Sequence, residues 1–486
     1  MAALIVVAHP PECVRQKGLL IIAGKFDDSH HNSLNGFFEV PENHNRMFRC
    51  YTMAMMIQQA RSIASQFQLP EPIDIFDFPE KGNINLQTYL VTAGPLLDHN
   101  EYILQQLNPT VFTQPQIVMA AMIQCIEAQR QAMSDGALRN GDEWQTIQLI
   151  PTKEGKPFLE VVDGGVLSCW RMMVRIGQAR SYRSLREISE PSLRLRVAEQ
   201  AGKGLALFGT LIAGMNPVRI KCPLAGYRDT GLYYDQFLSV LAGCRTPAEA
   251  SAYLPKDPIV RQSTQPHFLI HLPPEAFRSR LEDPQLRRYV DLALDQKSFA
   301  MKLARGLSRG ELKTVAVHGD TKLDNFLFDK STGKVKALVD LDTIMPHTWL
   351  SDWGDMVRSL INTAGEKETD LKKIRIDLEV FRSVASGFIN SNHPYAAHEK
   401  SLMVDAIQIM ALELGVRFLA DYLRGDSYFM LGSSEPQDLN KTRAMVQFCL
   451  FEELRTNANL LERILRGLES SSHEKSLEDS KPPRLE

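Results

Sequence analysis

The stretch that decides the reading is His318–Asp329, HGDTKLDNFLFD, followed by Ala337–Thr343, ALVDLDT. It holds Asp320, then Lys322, then Asn325 five residues after the Asp. A short apolar hairpin with Asp329–Gly333 at its tip leads to Asp340, which stands at the end of the next apolar strand. Transfer of a phosphoryl group from ATP to a hydroxyl needs these parts. A carboxylate orients the hydroxyl and takes its proton (Asp320). Side-chain oxygens hold Mg2+ against the phosphates (Asn325 and Asp340). A cation offsets charge on the transferring group (Lys322). HGD alone would read as a turn with solvated acids; the combination of residues and spacings is what makes the signal specific.

The D-x-K-x-x-N spacing matches the catalytic loop H-R-D-L-x-x-x-N of protein kinases, and Val339-Asp340-Leu341 stands where D-F-G would be. Upstream, the pattern changes twice. Residues 51–68 carry helical spacing at Met53, Met56, Ile57, Ala60, Ala64 and Phe67. Strand signals follow at 73–78, 86–92 and 102–107, then a helix at 114–133, then strands at 144–152, 159–162 and 170–176. From about residue 185 the period is helical, with Val197, Ala201, Leu205, Phe208 and Ile212 on one face. Residues 245–275 are Pro-rich and polar, without a clear period, and read as an insertion. Residues 371–468 are largely helical, and the polar tail from Glu469 reads as disordered. The order is a strand-rich lobe followed by a helix-rich lobe, with a cleft expected between them.

Composition excludes several classes. The chain has 486 residues, enough for about three domains or one large two-lobed unit. With 55 Lys+Arg against 58 Asp+Glu, it offers no electrostatic case for nucleic acid or an anionic membrane. No apolar run approaches the roughly 18 residues that span a bilayer. The seven cysteines are scattered without a C-x-x-C, which disfavours a disulfide framework or zinc site and makes a reducing, cytoplasmic setting the expectation. His30 and His31 lack a further ligand set and read as solvated.

Several stretches resemble the aminoglycoside phosphotransferase/choline kinase-like superfamily, and within it the N-acetylhexosamine 1-kinases. They are GNINLQTYLV (82–91), YILQQLNPTVFTQPQIVM (102–119), WRMMVRI (170–176), ARSYRS (179–184), GYRDTGLYYDQF (226–237), HGDTKLDNFLFD, LVDLDTIMPHTWLSDWGDMVRS (338–359) and RFLADYLRGDSYF (417–429). The resemblance covers about 60–468 with gaps. It omits residues 1–50, 245–275 and the tail. It implies a two-lobed, protein-kinase-like α+β fold, with a small antiparallel-sheet lobe (51–177, including the leading helix) and a larger helical lobe (178–468). It also implies ATP and Mg2+ as cofactors. Asp320 becomes the general base, and Asn325 and Asp340 the metal ligands. Gly82, Asn83 and Asn85 fall on the loop over the ATP phosphates. Asp342, Arg417 and Tyr428 match positions near the sugar, although Arg417 could instead pair with Asp421 one turn on. The Asp at the place of Asp352 or Asp355 usually orients the catalytic loop.

Three departures stand out. The third strand reads Y-I-L-Q, so Gln105 occupies the place where a typical kinase has a phosphate-gripping Lys. Glu127 of the next helix then loses its usual partner and reads as solvated. His347 stands where the group has Gly after Met-Pro, which changes backbone freedom near the cleft. The expected activity is transfer of the ATP γ-phosphoryl group to a small-molecule hydroxyl, with a sugar acceptor preferred, down to the anomeric hydroxyl of an N-acetylhexosamine. An amino alcohol, an aminoglycoside or another metabolite remains the alternative acceptor, with Asp342, Asp352 and Asp355 as the carboxylates for its cation. A nucleotide-binding regulator without catalysis is the third reading.

Overall fold

The computed structural model describes residues 55–79, 84–85, 87–95, 100–163, 165–391, 396–432 and 434–479. Residues 1–50, with His30 and His31, and the loop residues Gly82 and Asn83 lie outside them.

The small lobe begins with a helix over 55–64 (α1). It continues through β1 (Ile73–Asp77), β2 (Thr88–Ala93), β3 (Asn100–Leu107), α2 (Pro115–Ser134), β4 (Leu149–Ile150), β5 (Leu159–Asp163) and β6 (Val166–Val174). The six strands form one antiparallel sheet in the order β1-β2-β3-β6-β4, with β5 sharing the outer edge of β6 with β4. Alternation along the strands divides the side chains between two faces. Ile73, Ile75, Tyr89, Val91, Tyr102, Leu104, Trp170 and Met172 pack under α1 through Ala60, Ile63 and Ala64. Leu107, Cys169 and Met173 face the other way and join Val118, Met119, Met122 and Cys125 of α2 in the main core. Arg171 and Gln105 share this second face by the same alternation, and they are direct cross-strand partners. Only Leu149–Ile150 of the predicted strand at 144–152 is a strand. Before it the chain turns to the other lobe, where the Gln145 N–H donates to the Lys336 carbonyl.

The larger lobe runs through β7 (Ala179–Arg180), α3 (Pro191–Leu211), α4 (Thr230–Leu241), α5 (Pro258–Thr264), α6 (Pro274–Leu281), α7 (Pro284–Asp295), α8 (Lys297–Ala300) and α9 (Lys302–Ser308). Then come β8 (Val315–Val317), β9 (Phe326–Asp329), β10 (Val335–Leu338), β11 (Met345–His347), α10 (Trp349–Ile361), α11 (Leu378–Ile389), α12 (Ala397–Lys400), α13 (Met403–Arg424), α14 (Leu439–Thr456) and α15 (Ala458–Asp479). The architecture is therefore the expected one, a small antiparallel-sheet lobe with a larger helical lobe. The predicted apolar face of α3 is buried at Val197, Ala201, Leu205 and Phe208. α3 and α11 cross closely: a Cβ on Gly202 would lie 2.0 Å from the Val384 carbonyl oxygen, and one on Gly387 would lie 1.9 Å from that of Glu199. Only glycine fits there.

Two expectations change. Helix α15 continues through Asp479, where the sequence composition points to disorder from Glu469. Residues 245–275 are not featureless: α5 forms, and Ala250 and Phe268 are buried with Leu232 and Cys244 in a small core of their own. Prolines at helix starts (Pro258, Pro274) broke the periodic signal there without preventing helices. Among the described residues no helix is long and apolar enough to cross a membrane. The described cysteines, Cys125, Cys169, Cys222, Cys244 and Cys449, are free.

Candidate active site

The His318–Asp329 stretch follows β8 directly. Its backbone is fixed before any ligand is considered. The Asp352 carboxylate, in the first turn of α10, accepts the N–H of His318 at 2.6 Å and of Gly319 at 2.8 Å. Thr321 donates its hydroxyl to the Asp352 carbonyl at 2.7 Å. Thr343 donates to the His318 carbonyl, and the His318 ring bonds the Val339 carbonyl, which ties the loop to the turn after β10. The Gly319 carbonyl accepts from Tyr227 OH at 3.0 Å and from Arg228 Nη2 at 2.8 Å. Arg228 is itself buried and pairs with Asp355 at 2.5 Å. Burial works against the Asp355 charge, but Arg228 and Arg358 outweigh it and hold the carboxyl well below the usual range.

On this frame sit the predicted residues. Lys322 Nζ lies 3.1 Å from Asp320 Oδ2. Asn325 Nδ2 donates to the Asp320 carbonyl at 2.8 Å and to Asp320 Oδ2 at 3.3 Å, which leaves the Asn325 amide oxygen without a hydrogen-bond partner among the described residues. Burial disfavours the Lys322 ammonium, yet Asp320, Asp324 and Asp340 around it raise its pKa above the usual lysine value. Asp340 closes β10 in the left-handed region, at φ +64. Burial, and then the nearby Asp342 charge, pushes its carboxyl up to about 7. Among the described residues Asp340 makes no hydrogen bond and no ion pair. An unpartnered carboxylate and an amide oxygen without a hydrogen-bond partner are hard-oxygen donors that suit Mg2+, which takes one or two protein ligands and completes its shell with phosphates and water. No group of three or more His, Cys, Asp or Glu side chains among the described residues could hold a metal by itself.

Three further predicted residues meet in one place, but turned inward. Asn85 Nδ2 donates to Asp342 Oδ2 at 2.7 Å. Arg171 Nη1 bonds the other Asp342 oxygen in a buried ion pair. Arg171 Nε and Nη2 donate to Gln105 Oε1 at 3.1 and 2.5 Å. Gln105 Nε2 donates to Thr88 Oγ1, and Thr88 donates to the Asn85 carbonyl at 2.7 Å, closing a ring of five residues. Asp342, which the resemblance places near a sugar, is 3% exposed, and its two oxygens bond Asn85 and Arg171. The side chains of Asn85 and Gln105 are likewise engaged in the ring. Glu127 is exposed on α2.

Arg417 and Tyr428 do come together. The Arg417 guanidinium lies 4.5 Å from the Tyr233 ring centroid, 5.3 Å from Phe429, 5.5 Å from Tyr428 and 5.8 Å from Tyr227. It does not pair with Asp421. That carboxylate pairs with Arg424 at 2.8 Å and accepts the N–H of Tyr428 and of Phe429. Among the described residues Arg417 has no carboxylate within ion-pairing distance. Tyr227 touches both this group and the Gly319 carbonyl, so Arg417 stands on the Asp320 side of the molecule. His347 lies in β11 opposite Val315 with an ordinary strand backbone, so the freedom of a glycine is not used there.

Arg171, Tyr227 and Arg228 escaped the sequence reading as site residues, although all three lie in quoted stretches. Arg171 lies 171 residues from Asp342, Tyr227 92 from Gly319 and Arg228 127 from Asp355. For Arg171 the signal was a cation inside an otherwise apolar run, Trp170 to Val174, where a buried charge demands a partner. A separate cavity of about 300 Å³, lined by Leu205, Phe208, Val317, Trp349 and Glu399, has Asp352 in its wall.

Comparison with known proteins bears on the chemistry. Residues 182–375 match the model of the APH family, described as the phosphotransferase enzyme family. The match, over less than half of the chain, supports phosphotransferase chemistry. It spans Arg228, the catalytic loop, Asp340 and Asp352. Solved structures with a similar arrangement include a microcompartment-associated aminopropanol kinase (TM-score 0.46, 14% identity, 83% of this chain and 98% of that one). A Plasmodium vivax ethanolamine kinase matches with TM-score 0.42 and 10% identity over 79% of this chain and 83% of its own. The choline kinase LicA from Streptococcus pneumoniae matches with TM-score 0.40 and 9% identity over 83% of this chain and 99% of its own.

Proposed function

We propose that the protein transfers the γ-phosphoryl group of ATP to a hydroxyl of an uncharged, polyhydroxylated acceptor, a sugar such as an N-acetylhexosamine. Asp320 accepts the hydroxyl proton as the acceptor oxygen attacks phosphorus and ADP departs. Lys322 offsets charge beside it. Asn325 and Asp340 would hold Mg2+, which neutralises the phosphates when bound. Tyr227 and Arg228 keep the Gly319 peptide, and with it Asp320, in place.

The observation that carries the acceptor class is the state of Arg417 and of the nearby acids. An aromatic enclosure that suits a ligand cation is already filled by the protein's own guanidinium. The carboxylates that were candidates for an amino group are spoken for: Asp342 by Arg171, Asp355 by Arg228 and Arg358, and Asp352 by two backbone N–H groups. A guanidinium with unpaired donors suits hydroxyl and carbonyl oxygens, and Tyr428, 44% exposed, offers a ring edge and a hydroxyl.

The test is ADP release with Mg-ATP against N-acetylhexosamines, other hexoses and amino alcohols, with Asp320→Asn as the control. Turnover on a hexosamine, with a raised KM in Arg417→Met, supports the reading. Turnover on amino alcohols alone would replace it.

A further inference from the structure

We infer that Arg171 is a positioning residue for the metal-holding turn, and that it acts through Asp342 in place of a phosphate-gripping lysine on the third strand. This rests on the phosphotransferase reading above and names a residue that reading leaves out.

The argument begins with the sheet. Thr88, Gln105 and Arg171 are direct partners across three adjacent strands, so their side chains form one polar row on the face toward α2. The row ends at Asp342, on the other lobe. From there Asn85 returns to the start through its side chain and its carbonyl. Each member has partners within the ring, and the Asn85 amide oxygen is satisfied outside it by the Asn108 N–H, which is the condition for a buried polar network to be stabilising and to fix one geometry. Arg171 is 2% exposed. Its donors go to Gln105 (Nε and Nη2) and to Asp342 and Met122 Sδ (Nη1). With those donors spent, it does not grip phosphate. It holds Asp342, two residues beyond Asp340, and through the ring it holds Asn85 on the loop of the small lobe. A charged link between the lobes thus runs from a sheet arginine to the turn that carries Asp340. Glu127 of α2 plays no part in it.

The test separates positioning from phosphate binding and from simple stability. ATP affinity is measured by calorimetry with and without Mg2+, and thermal melting is followed, for the parent protein, Arg171→Met and the neutral pair Arg171→Gln/Asp342→Asn. The double variant avoids a lone buried carboxylate, so it reports even where Arg171→Met fails to fold. The expected result is that the gain in ATP affinity on adding Mg2+ falls about 10–100-fold, the scale of lost supporting contacts at metal sites, while metal-free ATP affinity moves less than about threefold. An equal loss with and without Mg2+ would mean that Arg171 grips phosphate, and would overturn the proposal. A lower melting temperature with an unchanged Mg2+ gain would reduce the ring to a structural role and overturn it as well. A parent protein that binds no Mg-ATP would overturn the phosphotransferase reading itself, an outcome visible before any variant is made.

Discussion

The two oxygens of Asp352 each accept one backbone N–H, from His318 at 2.6 Å and from Gly319 at 2.8 Å. A single buried carboxylate thereby sets the peptide that precedes Asp320. Asp352→Asn leaves one acceptor oxygen and turns an amide N–H₂ toward a backbone donor. The expected cost is about 1–3 kcal/mol of stability from the unsatisfied group, read by urea denaturation. Turnover should fall further than that loss explains, by about 10²-fold, because a small displacement of a reacting group is enough to produce such a loss. Full activity in Asp352→Asn would show that Asp320 does not depend on this anchor.

Asp320 itself is only partly buried, and its neighbour Lys322 has a side chain that is 42% exposed. Removing the Asp320 charge should therefore cost little stability. As the general base it should cost much activity: Asp320→Asn is expected to lower kcat by about 10²–10⁴. Steady-state ADP release decides the matter. A variant within about threefold of the parent, far below the scale of a general base, would remove Asp320 from the mechanism.

The contrast between these residues and the ring around Arg171 shows what could be read in advance. Asp320, Lys322, Asn325 and Asp340 lie within 21 residues of one another and share a spacing that chemistry constrains, so the sequence alone brought them together. The strand and helix lobes followed from a change in period. The pairing of Asp342 with Arg171 was not legible, because Arg171 lies 171 residues away on a strand of the other lobe and no local pattern encodes it. The same holds for Arg417, whose one-turn neighbour Asp421 is claimed instead by Arg424 and by two N–H groups of the following turn. The short helix at 258–264 was hidden by the prolines that start helices as readily as they break them.

Gly319 carries a constraint that no other residue meets. Its φ is +86, and a Cβ there would lie 2.6 Å from the Thr343 carbonyl oxygen. The left-handed backbone costs a residue with a side chain about 1–2 kcal/mol, and the clash with backbone adds to it. Gly319→Ala should thus lose more than about 1 kcal/mol of stability and displace Asp320. Chemical denaturation paired with kinetics on the same preparation checks this. Wild-type stability and turnover would mean that the turn can open without cost.

Two histidines make stability depend on pH. Burial, and then the Arg228 charge, pulls the His347 ring down to about 4, and burial with the Arg424 and Arg417 charges pulls His267 down to about 3. Both are neutral in the folded protein at mildly acidic pH. In the unfolded chain each takes a proton below about 6.5. Between about pH 6.5 and pH 4 the unfolded state therefore binds more protons at these two rings, and their contribution to stability falls as pH falls. The buried Nδ1 of each ring lacks a hydrogen-bond partner, and at His347 burial and the Arg228 charge outweigh the backbone contacts with Thr348 and Arg228 that favour the charged form. His347→Gln removes one of the two protonations. The variant and the parent should then converge as pH drops: whatever the substitution costs at pH 7.5, the parent should lose about 1–2 kcal/mol more than the variant by pH 5. Urea denaturation of both proteins at pH 7.5, 6 and 5 reads the difference. Parallel stability curves across that range would place the His347 ring in contact with water and return its pKa to the ordinary value.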